Sequence, residues 1–267
     1  MRAGGGIARY KQTPRAPGLA SSRDLVARGA GSRVGEYGGV SGTEAEIWRE
    51  ARREAAPALV VALVLLVLLA IVSKVEDWKL LGRAPWWVWL VVAVPELVLI
   101  VDLVLGVRGA DFVRTRRAAL VLLAILVFGN VTALTLLVTG LVTTSTRELG
   151  GGELLLTAFV IWVTDVIVFG VWFWETDDGG PIARRLHARR TPDFQFPQDE
   201  NPGLAASGWR PHVMDYLYVS LTNSIAFSPT DAMPLSRHAK RLMALGSVIS
   251  AATVLLVAAR AVNVLGS

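Results

Sequence analysis

Apolar residues along this chain are gathered into long runs separated by short polar stretches. Five runs stand out: Ala56 to Val72, Trp86 to Gly106, Ala118 to Val142, Leu154 to Trp174 and Leu242 to Leu265. Each approaches or exceeds the roughly 20 residues that carry a helix across a bilayer core. In lipid, such a segment satisfies its backbone only as a helix. The pattern predicts an all-α, integral membrane helical bundle with five long transmembrane helices. A sixth run, Asp215 to Phe227, "DYLYVSLTNSIAF", covers only roughly 20 Å as a helix and is too short to span comfortably. It reads as a short pore-helix-like segment; crossing fully, it would make six spans.

The polar stretches organise the rest. Residues 1–42 are rich in Gly, Ser, Pro and Arg without apolar periodicity and read as a disordered basic tail. Residues 43–55, "TEAEIWREARREA", open with Thr43 and Glu46 in a capping-box pattern and read as an interfacial amphipathic helix. Residues 56–175 hold four transmembrane helices. Residues 176–210 form a loop, because Gly179, Gly180 and Pro181 stop the fourth span. Residues 211–267 hold the short helix, a Ser-Pro-Thr-Asp turn and the final span. About 55 mostly polar residues precede the first run, and no small-residue cleavage site follows it, so no secretory signal peptide is expected.

Charge then orients the chain. The net charge is +5, yet only 18% of residues are charged, against about a quarter in soluble domains. Arginines sit beside the spans: Arg49, Arg52 and Arg53; Arg108, Arg114, Arg116 and Arg117; Arg184, Arg185, Arg189 and Arg190. The loop after span three, "TTSTRELGGGE", has one. By the positive-inside rule the N-terminus is expected to be cytoplasmic, in the cell inner (plasma) membrane, and the positive charge signals topology rather than nucleic acid. With no cysteine, disulfides and thiol chemistry are excluded. The three histidines lie outside the long runs, and H-E-x-x-H, G-x-S-x-G and Walker patterns are missing. No enzyme activity, cofactor or metal is expected.

Polar residues inside the runs are the candidates for function, since an ionisable group in a bilayer is costly. Glu96 follows Pro95 near the middle of span two. Asp102 lies about 240° around that helix, so the two acids do not share a face. Asn130, Asp165 and Arg260 sit within spans three, four and five. They read either as a hydrated pathway or proton relay, or as glue between helices, with a buried carboxyl paired to Arg260. Glu175, Asp177 and Asp178 at the end of span four read as a solvated helix cap rather than a cation site.

The short segment carries Ser220, Thr222, Asn223 and Ser224. Helical spacing stacks Tyr216, Ser220 and Phe227 on one side, and Tyr218, Thr222 and Ile225 on another. Ser228, Pro229, Thr230 and Asp231 supply turn chemistry. Pro234 is expected to start the last helix with Asp231 as its cap. Gly246 and Ser250 give that helix a small-residue face.

"YLYVSLTNSIAFSPTDAMPLSRHAKRLM" followed by an apolar helix resembles the pore region of two-transmembrane potassium channels. There a pore helix runs into a filter, then Asp-x-x-Pro, then the lining helix; Asp231 and Pro234 match that Asp-x-x-Pro. The match departs at the filter, where Ala226 to Thr230 has a proline and no glycine. Ser, Thr and Asp side chains, rather than backbone carbonyls, would then face an ion. Residues 56–267 also resemble a set of actinobacterial-type multi-pass membrane proteins sharing "AFSPTD" and an upstream "WE-D-GGP". What the potassium-channel likeness implies is an ion channel-like pore loop, with Ser220, Thr222, Asn223, Ser224, Phe227, Ser228, Thr230 and Asp231 lining it beside the final helix. The expected partners are the lipid bilayer, further copies in a homo-oligomer, and monovalent cations or protons. The alternatives are a proton-coupled small-solute transporter using Glu96 and Asp165, and a non-transporting membrane scaffold.

Overall fold

A computed structural model of the protein describes residues 53–78, 85–105, 112–143, 151–185, 191–228 and 231–265. The chain divides into two units, Met1–Thr43 and Glu44–Ser267. The tail at 1–42, and all of the 43–55 helix before Arg53, lie outside the described residues. The second unit is a helical bundle. Its long helices are α1 (Ala56–Val75), α2 (Val88–Leu105), α3 (Phe112–Thr143), α4 (Gly151–Thr176) and α8 (Arg237–Leu265). Between α4 and α8 come a tight turn at Asp177–Gly179, α5 (Pro181–Arg185), β1 (Phe194–Gln195), α6 (Pro197–Glu200), α7 (Val213–Ala226) and β2 (Met233–Pro234).

Among the described residues, four stretches are long and apolar enough to cross a membrane: Ala56–Val75, Arg116–Thr139, Gly152–Gly179 and Arg237–Ala259. α2, at 18 residues and carrying Pro95, Glu96 and Asp102, is not among them. Apolar residues cover both sides of these helices. On α1, Leu59, Ala62, Leu66 and Leu69 are buried while Val61, Val64, Leu68 and Ile71 are about half exposed. A water-facing helix puts polar residues outward, and patches this apolar mark a surface meant for lipid or a partner. The bundle is that of a membrane-embedded protein.

α4 is the hub. It packs on α1, α3, α7 and α8, while α1 packs on α2 and α2 on α3. Accordingly 67% of an apolar 18-residue window within Gly152–Gly179 is buried, against 33% to 39% for the corresponding windows of the other three.

The path of the chain after α4 decides what α7 is. Tyr216 bonds Asp177 at the end of α4, Leu217 lies against Gly170, and Ser220 and Ser224 reach the level of Asp165. α7 therefore runs back alongside α4 toward its middle. The chain then returns: β2 pairs antiparallel with β1, Phe194 opposite Pro234 and Gln195 opposite Met233, and Leu235 N donates to Asp193 O. α8 starts at that same end and runs parallel to α7, with Gly246 beside Phe169 and Asn223. The described parts of segment 213–235 thus begin and end at one end of α4.

Two local expectations are corrected. Pro234 lies in β2 and does not open α8; Ser236 Oγ accepts from Ala239 N at 3.0 Å and caps that helix instead of Asp231. Phe227 does not share the buried side of Tyr216 and Ser220. It ends α7 in the left-handed region at φ 52° and is exposed, because leaving helical geometry turns its side chain away.

Gly170 permits the close approach of α7. A Cβ placed there would meet Leu217 Cδ2 at 2.7 Å and Leu217 Cα at 2.9 Å, and the backbone atom cannot swing aside. Overpacking of this kind costs about 1–3 kcal/mol. Gly170→Leu is expected to lower the melting temperature of the purified protein by several degrees, while Gly152→Leu, which meets open space, leaves it unchanged.

Candidate functional site

The site is assembled by the way α4 ends. A helix leaves its last four carbonyls without partners in its own ladder. Here Thr176 Oγ1 donates to Phe173 O at 3.3 Å, Arg184 Nη1 to Trp174 O at 2.9 Å, and Arg116 Nε and Nη2 to Glu175 O and Thr176 O at 3.3 and 3.2 Å. Two guanidinium groups at the negative end of the helix dipole are favourable as well. Asp178, at φ 48°, Gly179, at φ 86°, and Gly180, at φ 99°, then reverse the chain through left-handed backbone.

Asp177 is the keystone of that reversal. Its Oδ1 accepts from Asp193 N at 2.6 Å and Phe194 N at 3.1 Å, and its Oδ2 accepts from Tyr216 Oη at 2.5 Å. One carboxylate so ties the 191–195 strand and α7 to the end of α4. Burial lifts the Tyr216 hydroxyl well above the ordinary phenol range, which keeps it a donor. Phe194 and Phe196 meet the Tyr216 ring edge-on at 6.1 and 5.3 Å, and the Arg184 guanidinium lies over it at 5.1 Å. The expectation of a solvated cap is overturned for Asp177, which is 2% exposed. Among the described residues, no group of three or more histidines and acids is placed to hold a metal ion.

With α7 fixed this way, its polar face turns inward. Ser220, Asn223 and Ser224 are all buried, as are Asn130, Thr164 and Asp165 on α3 and α4 and Ser250 on α8. Asn130 Nδ2 donates to Asp165 Oδ1 at 2.8 Å and to Thr164 Oγ1 at 3.2 Å. Asn223 Nδ2 donates to Met243 O at 3.0 Å, and its Oδ1 accepts from Ser247 Oγ at 3.2 Å. Between them lies a chamber of about 10 Å³ lined by Asp165, Ser220, Asn223, Ser224, Gly246 and Ser250 among others. That is about the room one water needs. Among the described residues, Asp165 Oδ2 has no hydrogen-bond partner. A carboxyl oxygen, an amide and three hydroxyls around a one-water space suit a proton, a water or one dehydrated small cation. They leave no room for an organic solute.

The other sequence candidates divide. Thr222 is half-buried and donates back to Val219 O at 3.1 Å. Phe227, Ser228 and Asp231 are exposed, away from the chamber, and Thr230 lies outside the described residues. Glu96 is 1% exposed, with no hydrogen-bond partner on either carboxyl oxygen among the described residues, on a helix that packs on α1 and α3. Asp102 is also buried. The Arg260 side chain lies outside the described residues, and the partner Asp165 does have is Asn130. Thr164 was not singled out in the sequence, and Ser247 stood out only with Ala251 as a small-residue face for close packing, not as a partner of Asn223. Comparison with protein-family models, curated proteins and solved structures gave no match.

Proposed function

We propose that this chain is a multi-pass protein of the plasma membrane that binds and passes, or senses, protons or monovalent cations at the Asp165 chamber. α2 serves as a fifth span, the N-terminus is cytoplasmic, and α7 is a re-entrant helix inserted from the cytoplasmic side. One observation carries this reading: the polar face of α7 is buried against Asp165 rather than turned outward. Bringing Ser220, Asn223 and Ser224 into a bundle core costs free energy unless they are hydrogen-bonded or hydrated, and an ionisable group at that depth points to a function. A short helix that lays a polar face beside a buried carboxyl is in keeping with the discontinuous helices of ion-handling membrane proteins. Unlike a central potassium-channel pore, this site lies within one protomer, and copies in a homo-oligomer would each hold their own. Glu96 supports a second reading, proton-coupled transport of a small solute, because it is a second buried carboxyl without a partner.

The direct test is flux. Liposomes holding the purified chain are expected to dissipate an imposed H⁺, Na⁺ or K⁺ gradient faster than empty liposomes. Equal rates for all three ions would sink the conducting form, and the lack of any cation- or pH-dependent change in melting would sink the sensing form.

Topology is tested separately. Because the chain has no cysteine, Ser228→Cys and Arg237→Cys are each expected to react with an impermeant thiol reagent from the same side as Arg117→Cys. Reaction of Ser228→Cys from the opposite side would mean a crossing helix and a different lining.

A further inference from the structure

We infer that the groove where α1 ends beside α2 holds one phospholipid with an ammonium-bearing headgroup, of the phosphatidylethanolamine type. The inference rests on the bundle lying in a membrane, and not on the ion reading of Asp165. α1 and α2 pack together, and a groove of about 570 Å³ lies between the end of one and the start of the other. That volume falls in the range of small-ligand sites. Val67, Ile71 and Val75, spaced to share one face of α1, line it with Leu90 of α2. Lys74 is the charged side chain of that lining, and its Nζ lies 5.0 Å from the centre of the Trp86 ring. Tryptophan and the ends of lysine side chains sit where the hydrocarbon core meets the headgroups.

Length selects the occupant. From Val67 to Lys74 the groove runs roughly 10 Å along α1, inside the roughly 15 Å of hydrocarbon in one leaflet. A spanning helix from a second copy would need a stripe across both leaflets, whereas an acyl chain needs only one. Charge selects the headgroup. Among the described residues no ion pair engages Lys74, Glu76 or Asp77. Glu76 and Asp77 follow Lys74 where the helix stops, Asp77 in left-handed backbone at φ 52°, and all three are exposed. One cation followed by two acids disfavours a purely anionic headgroup. A headgroup carrying both signs satisfies them: its phosphate accepts from Lys74, and its ammonium donates to Glu76 or Asp77. The Lys74 ammonium has three donors, and the Trp86 ring covers one side of it, so donors remain for phosphate oxygens.

The experiment begins with the full-length protein in membranes washed at alkaline pH. A chain that washes off overturns the inference together with its membrane premise. The retained chain is purified in neutral detergent and titrated with phosphatidylethanolamine, phosphatidylcholine or phosphatidylglycerol, and bound lipid is counted by native mass spectrometry. One retained phosphatidylethanolamine per chain is expected, at an apparent affinity about tenfold above the other two, the worth of one charge-assisted contact. Choline has no N–H to donate, and glycerol carries no cation. Lys74→Gln should weaken that binding about tenfold, and Ile71→Trp, which fills the groove, should abolish it. Leu68→Trp, at a comparably exposed position of α1 outside the lining, should match wild type. Equal retention of the three lipids, or stronger retention of phosphatidylglycerol, overturns the inference. Equal loss with Leu68→Trp and Ile71→Trp marks ordinary surrounding lipid and overturns it too. So does a dimer that Ile71→Trp dissociates without added lipid, which would put a second copy in the groove. Should Ile71→Trp fold poorly, Lys74→Gln, at an exposed position, still decides.

Discussion

Asp177→Ala is expected to lower the melting temperature by roughly 10 °C and to open residues 191–212 to protease. Three donors lose their acceptor at once: Asp193 N, Phe194 N and Tyr216 Oη. A buried donor left without a partner costs about 1–3 kcal/mol. With one of the three only part-buried, the total is about 3–5 kcal/mol. For a protein of this size each kcal/mol moves the melting point by roughly 2–4 °C. Asp177→Asn should restore little, because an amide offers one acceptor oxygen and would turn its own N–H groups toward a donor. Tyr216→Phe removes a single bond and should cost about 1–3 kcal/mol. The effects of Asp177→Ala and Tyr216→Phe should be strongly non-additive, since both break one contact. If Asp177→Ala melts within about two degrees of wild type, the latch does not hold α7, and the inward turn of the polar face needs another cause.

The long helices were legible because their signal is local: a run of apolar residues states its own length and solvent. The stop at Gly179, Gly180 and Pro181 was legible for the same reason, as backbone chemistry written within a few residues. The direction of α7 was not. It depends on Tyr216 meeting Asp177, 39 residues earlier, and on Met233 pairing with Gln195. Neither contact leaves a mark in spacing along the chain. Asp177 looked like one of three solvated acids because side-chain burial at a helix end depends on what packs there afterwards. Arg116 and Arg184 read as topology signals; their caps on the carbonyls of α4 show one residue serving both purposes. Asp165 was legible as a costly group, but its contact with Asn130 was not, because it depends on how α3 is rotated about its axis, which hydropathy does not report. The inward faces of Ser220, Asn223 and Ser224 likewise follow from α7 crossing Gly170, where a side chain would have kept the helices apart.

Asp165→Asn is expected to remove ion flux, or the ion-dependent melting shift, by at least about a hundredfold while leaving the fold intact. The amide has nearly the volume of the carboxyl, and its oxygen can still accept from Asn130 Nδ2, now at 2.8 Å from Asp165 Oδ1. Packing and the link between α3 and α4 therefore survive, and melting should change by less than about 1 kcal/mol, as volume-conserving changes do. What is lost is the negative charge and the group that takes up a proton at a residue lining the one-water chamber. Asp165→Leu keeps an apolar core of similar size but strands Asn130 and the hydroxyls, so it should be both inactive and less stable. That contrast separates a functional carboxyl from glue between helices. Glue predicts that Asp165→Asn, which keeps the hydrogen bond, behaves like wild type in every assay, and that result would remove the proposed site. Glu96→Gln divides the remaining readings in the same liposomes. With the chamber as the whole site, flux persists when Glu96 is neutralised. With a proton relay coupled to a solute, both neutral variants are silent, and the search for that solute begins on α2.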